Sequence, residues 1–373
     1  MPRNADSNGA TPEGIGYFEN TVHQGRRTSS ATAYLAPARR RANLAVVTDS
    51  RATRIGFDGT RATAVTYVGR DGVPVTARAS REVVLCAGSL ETPKLLLVSG
   101  VGPAAQLQDL GIAIVADRPA VGAHLQDHLC IDYLYRSRVP TLNDVLRPWW
   151  GRLRAGVRYV TTRRGPLAMS VNQAGGFVRS REGLDRPNVE LYFSPLSYTR
   201  AEPGVRKLMS PDPFPGFLLS AQPCRPTSRG RVRLRSADPL AAPLIEPNSL
   251  ATEHDLDELV EGARLLRRLA AAPPLADVIA AEMAPGPLVQ DREAVVADIR
   301  ARASTVFHPV GTCRMGPDAD TAVVDARLRA HGLAGLRIVD ASIFPTVTSG
   351  NTNTPTLMVA ERGAEFILED ALA

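Results

Sequence analysis

Hydrophobic and polar positions follow three different rhythms along this chain. Residues 44–55 and 61–67 alternate loosely between apolar and polar, with Asp58-Gly59 between the two runs. That dipeptide between two β-rich stretches predicts a hairpin. Residues 81–86 (REVVLC) form a continuous apolar run closing on Ala87-Gly88; its length and valines predict a strand buried on both faces, as in a parallel sheet. A helix is predicted over 92–99, with Pro93 at its favoured first position and Gly100 past its end. Ahead of these elements, residues 1–30 are polar and Gly-rich and read as loop, and 31–38 as a short helix stopped before Pro37.

The middle of the chain has another texture. Residues 188–193 and 217–222 predict strands, and Arg231-Val232-Arg233-Leu234-Arg235 alternates strictly. This places three arginines on one face, and a half-buried antiparallel strand with a solvated basic face explains it better than a phosphate-binding ladder. The clearest helix is 252–270, capped by Thr252 with Asp255 three residues on, and carrying Leu256, Leu259, Val260, Ala263 and Leu266 as its apolar stripe. Pro273-Pro274 stops it. The third rhythm returns to the first: 336–339 (LRIV) predicts a buried strand ending at Asp340. A turn-rich segment then leads to a helix over 356–368, with Thr354 as cap and Pro355 in the first turn. The expected fold class is therefore α/β plus α+β: one α/β domain assembled from both chain ends (1–128 and 304–373), with a domain over 129–303 inserted between them.

Composition narrows the function classes. With 373 residues, 44% hydrophobic and 22% charged, the chain is neither disordered, collagenous nor a small disulfide scaffold. Cys86, Cys130, Cys224 and Cys313 lie far apart with no CxxC pair, which argues against a zinc site or disulfide framework and suits a reducing compartment. The formal charge is +6, yet only Lys94 and Lys207 are lysines, and the arginines are interspersed with acidic residues. This is a compositional bias rather than a nucleic-acid footprint. The first residues lack the apolar core of a signal peptide, and no apolar run approaches the ~20 residues of a membrane span; a cytoplasmic protein without a membrane span is expected.

Candidate chemistry sits in three places. His308 stands in FHPVGTCRMG, where Pro309, Gly311 and Gly316 keep the backbone irregular. A loop histidine of ordinary pKa near ~6.5 suits a general base, although taken alone a histidine capping backbone groups is the plainer reading. Ser349-Gly350-Asn351-Thr352-Asn353-Thr354-Pro355 precedes the last helix. Two asparagines beside a helix N-terminus can stabilise developing negative charge, with an ordinary capping turn as the alternative. His124 and His128 bracket Gln126-Asp127 without the helical spacing of a metal pair, so no metal site is assigned. Gly100-Val101-Gly102-Pro103-Ala104-Ala105 has the glycine spacing of a dinucleotide fingerprint, but it follows a helix pattern and holds Pro103 inside the turn; it is not read as a phosphate loop.

Taken together, six stretches in order resemble the glucose–methanol–choline (GMC) family of flavin oxidoreductases, nearest its choline-dehydrogenase-like branch. They are GIGYFENTVHQGRRTSSATAYLAPA, REVVLCAGSLETPKLLLVSGVG, PAVGAHLQDHL, PTSRGRVRLRSADPLAAPLIEPN, HPVGTCRMG and IVDASIFPTVTSGNTNTPTLMVAE. The resemblance implies FAD as cofactor, a Rossmann-like FAD-binding domain, and a substrate domain on an antiparallel sheet flanked by helices. It implies oxidation of an alcohol CH–OH group, choline-like or another primary alcohol, by hydride transfer to flavin N5. His308 would accept the hydroxyl proton and Asn351 would hold the second catalytic position. Asp340 and Ala341 would lie along the cofactor, Asn353 and Thr354 would face the flavin, and the backbone near Ala52 would touch the adenine part. A trimethylammonium substrate would call for aromatic residues such as Trp149, Trp150, Tyr192 or Tyr198. The electron acceptor is not legible. Only thirteen residues precede Gly14, whereas a βαβ unit needs ~30. The family's N-terminal GxGxxG segment is thus expected to be missing, and the alternative is a non-catalytic fragment that needs a separate FAD-binding portion.

Overall fold

The computed structural model describes residues 1–198 and 210–372. The chain folds as two compact units: residues 1–40, 129–224 and 253–305 form one, and residues 41–128, 225–252 and 306–373 form the other.

The first unit is built on an antiparallel sheet. Its strands run in the order Gly14–Tyr17, Ala174–Val178, Val189–Ser194, Gly216–Pro223, Leu129–Ser137, Ile279–Ala284, and Ser304–Thr305 pairs with the start of Leu129–Ser137. Residues 1–30 are thus not all loop. The strand Gly14–Tyr17 escapes the alternation rule because two of its four residues are glycine and offer no side chain to the pattern. The helix Glu253–Ala270 buries Leu259, Val260, Ala263 and Leu266, and its Arg267 guanidinium lies 5.3 Å from the Tyr133 ring centre. Asn188 is not yet strand, and the two core strands begin and end within a residue of expectation, at Val189–Ser194 and Gly216–Pro223.

Side chains alternate across a sheet, so residues on neighbouring strands share a face. Glu190 lies opposite Gln222; Gln222 Nε2 donates to Glu190 Oε2 at 3.2 Å, and Tyr192 OH donates to Gln222 Oε1 at 3.0 Å. Burial pushes the Glu190 carboxyl up from 4.5 to about 8, against the hydrogen bond with Tyr192. The folded protein therefore keeps a proton that the unfolded chain releases above 4.5. This contribution to stability is full below about pH 4.5 and is lost as pH rises through about 8. Urea unfolding at intervals between pH 5 and 8 should show the wild type weakening with pH, and Glu190→Gln should flatten that slope. An unchanged slope in Glu190→Gln would place the titration elsewhere.

The second unit centres on two parallel strands, Val83–Leu85 and Leu336–Ile338. Leu336 and Ile338 are fully buried with Leu96, Leu97 and Val101. Val84, in contrast, is 37% exposed, so the run expected to be buried on both faces is covered on one. The following helix is Gly88–Val98, four residues longer at its start than predicted, with Pro93 in its interior. A proline there deprives the carbonyl four residues back of its donor. Thr312 Oγ1 supplies the replacement, donating to the Ser89 carbonyl at 2.6 Å. Likewise Pro37 does not end the early helical stretch: Ala31–Leu35 continues directly into Ala36–Ala38.

The hairpin forms as Arg51–Asp58 and Arg61–Val68, extended by Pro74–Arg78. Residues 44–50 do not join it. The strand Arg231–Arg233 pairs with Leu244–Glu246, and Arg231 and Arg233 share the one Glu246 carboxylate, so the basic face is partly offset locally. Val232 N donates to the Gly122 carbonyl at 2.7 Å, and this ties 225–252 into the second unit, just as the Gly14–Tyr17 strand ties 1–40 into the first. Gly100 and Gly102 are packed closely by the protein itself. A Cβ at Gly100 would meet the Ala113 carbonyl oxygen at 2.3 Å, and one at Gly102 would meet Leu97 Cδ2 at 2.3 Å. Among the described residues, no helix is long and apolar enough to cross a membrane.

Candidate active site

Three chain segments of the second unit converge on His308. Residues 126–128 and 306–310 run side by side: Gln126 N donates to the Val310 carbonyl at 3.0 Å, Val310 N returns to Gln126 at 2.9 Å, and Val306 N donates to the His128 carbonyl at 3.2 Å. Asp127 Oδ1 accepts from the backbone N–H of both His128 (2.9 Å) and His308 (2.8 Å). Phe307, just before His308, has φ +64°, a left-handed conformation unusual for an aromatic residue and held only where the surroundings enforce it. The third segment is fastened by the Gln126 side chain. Its Nε2 donates to the Pro345 carbonyl at 3.2 Å and its Oε1 accepts from Val347 N at 3.1 Å. Asn351 follows four residues later, just ahead of the helix Asn353–Leu372.

The side chains then form a short chain of hydrogen bonds. His128 Nδ1 lies 3.0 Å from His308 Nδ1, with the rings edge to face, and Asn351 Nδ2 lies 3.1 Å from His308 Nε2. An amide NH2 only donates, so Nε2 of His308 is the acceptor and its proton sits on Nδ1, aimed at His128. His308 is 7% exposed and His128 fully buried. Burial lowers the His308 pKa from 6.5 to about 4, so the ring is neutral at physiological pH, with a basic nitrogen directed at an amide.

The structure brings His308 and Asn351 together. Asn353 and Thr354 stand exposed in the first turn of the last helix, a turn that itself carries no acidic residue. Asp340 is committed within the protein: its Oδ2 accepts from Gly88 N (2.9 Å) and Thr92 Oγ1 (2.6 Å), and its Oδ1 from Ser342 N (2.8 Å). It fastens the end of one strand to the start of the helix Gly88–Val98, and Ala341 follows it, partly exposed. Ala52 lies exposed in the antiparallel hairpin opposite Tyr67. Of the aromatic candidates, Tyr192 is buried and Trp149 and Trp150 are exposed on a helix. Sequence reasoning missed Gln126, Asp127 and the role of His128. The one available signal was the crowding of Gln126-Asp127-His128 into a short, otherwise apolar stretch.

The chain is 41% identical over 367 residues to an alcohol dehydrogenase [acceptor] of Pseudomonas putida, covering 98% of this chain and 65% of that protein. It is 41% identical over 369 residues to an oxygen-dependent choline dehydrogenase of Pseudomonas aeruginosa (strain LESB58), covering 98% and 64%. It thus spans just under two thirds of the length of these relatives. Among solved structures, a pyridoxine 4-oxidase from Mesorbium loti superposes with a TM-score of 0.84 at 29% identity, over 98% of this chain and 66% of that one. A formate oxidase of Aspergillus oryzae, described for an effect of mutation on FAD modification, gives 0.85 at 26% identity over 94% and 64%. Residues 1–130 and 226–360 match the N-terminal and C-terminal parts of the GMC oxidoreductase family, and with the mixed fold and the converging segments described above, the chain belongs to that family.

Proposed function

We propose that the chain carries the catalytic residues of an FAD-dependent oxidoreductase acting on the CH–OH group of an alcohol, choline-like or another primary alcohol, with His308 as base. The observation that carries this reading is the pairing of the unprotonated Nε2 of His308 with the Asn351 amide at 3.1 Å. An alcohol oxygen that displaces the Asn351–His308 hydrogen bond accepts from Asn351 Nδ2 and donates its proton to His308 Nε2. The carbinol carbon of the resulting alkoxide-like species is a far better hydride donor. His128 accepts from His308 Nδ1, so it fixes the tautomer and supports the positive charge that proton transfer creates. Asp127 keeps both histidine backbones in place.

The residues present fit part of the cofactor. Exposed Asn353 and Thr354 leave the first N–H groups and positive end of the last helix open toward an anionic group, two residues from Asn351. Asp340 and Ala341 lie at the carboxyl end of the strand Leu336–Ile338, where open α/β sheets receive ligands. When bound, FAD supplies a two-electron acceptor for the hydride. Mixed with FAD and a primary alcohol, the active protein should bleach a redox dye, and the alcohol should be required. A flavin-loaded protein that reduces dye with no alcohol of any class would overturn the proposal.

A further inference from the structure

The helix Trp149–Thr162 in the antiparallel unit is amphipathic the wrong way round. A surface helix ordinarily buries its apolar stripe, as Glu253–Ala270 does in the same unit. Here the buried residues are Gly151 and Ala155. At 100° per residue they lie opposite Trp149, Trp150, Leu153, Val157 and Val160, which are exposed by between 54% (Val157) and 71% (Trp149). Leu167 and Met169 extend the apolar exposure just beyond the helix. A contiguous exposed apolar patch of this kind marks an interaction site.

Its charge pattern selects the partner. Residues 147–164 contain Arg147, Arg152, Arg154, Arg158, Arg163 and Arg164 and no aspartate or glutamate. On the helix, Arg154 borders one side of the apolar stripe and Arg152 the other, while Arg158 lies between Arg154 and the buried face. Long guanidinium side chains so placed reach around an apolar face toward phosphate while the face itself sinks into hydrocarbon. Tryptophans at one end of the stripe have the amphipathic rings that settle at a headgroup boundary. A second protein copy offers no matching surplus of negative charge, since the whole chain is formally +6.

We infer that the helix Trp149–Thr162 lies in the plane of an anionic phospholipid surface, with Trp149, Leu153, Val157 and Val160 inserted and the flanking arginines on headgroup phosphates. It docks on the bilayer and does not span it. Trp149 and Trp150 are the only two tryptophans in the chain, so tryptophan emission reports on this helix alone. Adding vesicles of phosphatidylcholine with phosphatidylglycerol should shift the emission to the blue and carry the protein down with the vesicles, less so as salt is raised. Leu153→Glu/Val157→Glu, at exposed positions that leave both tryptophans in place, should weaken partitioning by about tenfold or more with an unchanged circular dichroism spectrum. Three results would each overturn the inference: no blue shift with anionic vesicles, equal binding to pure phosphatidylcholine vesicles, or undiminished binding by the double variant. A blue shift that grows with protein concentration in the absence of vesicles, with a dimer in sedimentation, would assign the face to a second copy instead.

Discussion

His308→Ala in the flavin-loaded protein is expected to lower turnover with an alcohol by about 10²–10⁴-fold, the usual worth of general-base assistance. Asn351→Ala should cost less, because it removes a hydrogen bond to the substrate oxygen and leaves the base. The pH profile adds a second check. His308 is held neutral by burial down to about 4, so kcat/KM in the free enzyme should stay level on the acid side until that region. Stability responds to the same group with a worked sign. The unfolded ring takes up its proton near 6.5 and the folded one only near 4, so the folded state weakens as pH falls through that interval. Steady-state dye reduction across pH 4–8 tests the kinetic part. Wild-type turnover in His308→Ala would dismiss it as the base, and an acid limb at 6.5 would show that the rate depends on a different group.

Gln126→Leu is expected to reduce turnover by about 10²-fold, the scale of a misplacement near 1 Å between catalytic groups, although Gln126 touches no reacting atom. Its buried amide holds residues 345–347, which lead to Asn351, against the segment that carries His128 and lies beside His308. Leucine has similar volume but leaves the Val347 N–H buried without that acceptor, at a cost of about 1–3 kcal/mol. Gln126→Glu keeps an oxygen for Val347 and loses the donor to Pro345, so its effect should be intermediate. Dye-reduction kinetics and urea unfolding on the three proteins check both consequences. If Gln126→Leu unfolds as wild type does and turns over at the wild-type rate, the side chain does not position Asn351.

Much of the architecture was legible because it rests on local rules. Two core strands of the antiparallel sheet, Val189–Ser194 and Gly216–Pro223, lie within a residue of their predicted places, and the 3.6-residue stripe located Glu253–Ala270. Failures occurred where a distant group changed the local balance. Pro93 should have opened its helix, yet the helix runs through it because Thr312, more than two hundred residues away in sequence, bonds the carbonyl that proline leaves free. Residues 44–50 alternate suitably but remain outside the hairpin, whose ladder begins at Arg51. The strand Gly14–Tyr17 was invisible because its glycines erase the pattern.

For the site, the motifs shared with the GMC family singled out His308 and Asn351, since each residue judged alone reads more plainly as a capping group. They also suggested Asp340 beside a cofactor, where the fold shows a carboxylate already engaged by Gly88, Thr92 and Ser342. By itself the sequence determined the family and part of the elements, among them the strands Val189–Ser194 and Gly216–Pro223 and the helix Glu253–Ala270, through patterns and motifs that need no partner to be read; the strands Leu129–Ser137, Ala174–Val178 and Ile279–Ala284 were not predicted. Only the tertiary structure decided that His128 faces His308 Nδ1 and that Asn351 faces Nε2, because these contacts join residues 180 and 43 positions apart. Burial by residues remote in sequence is what keeps the His308 ring neutral. The helix Trp149–Thr162 was not predicted at all, and only packing shows which of its faces was left outside.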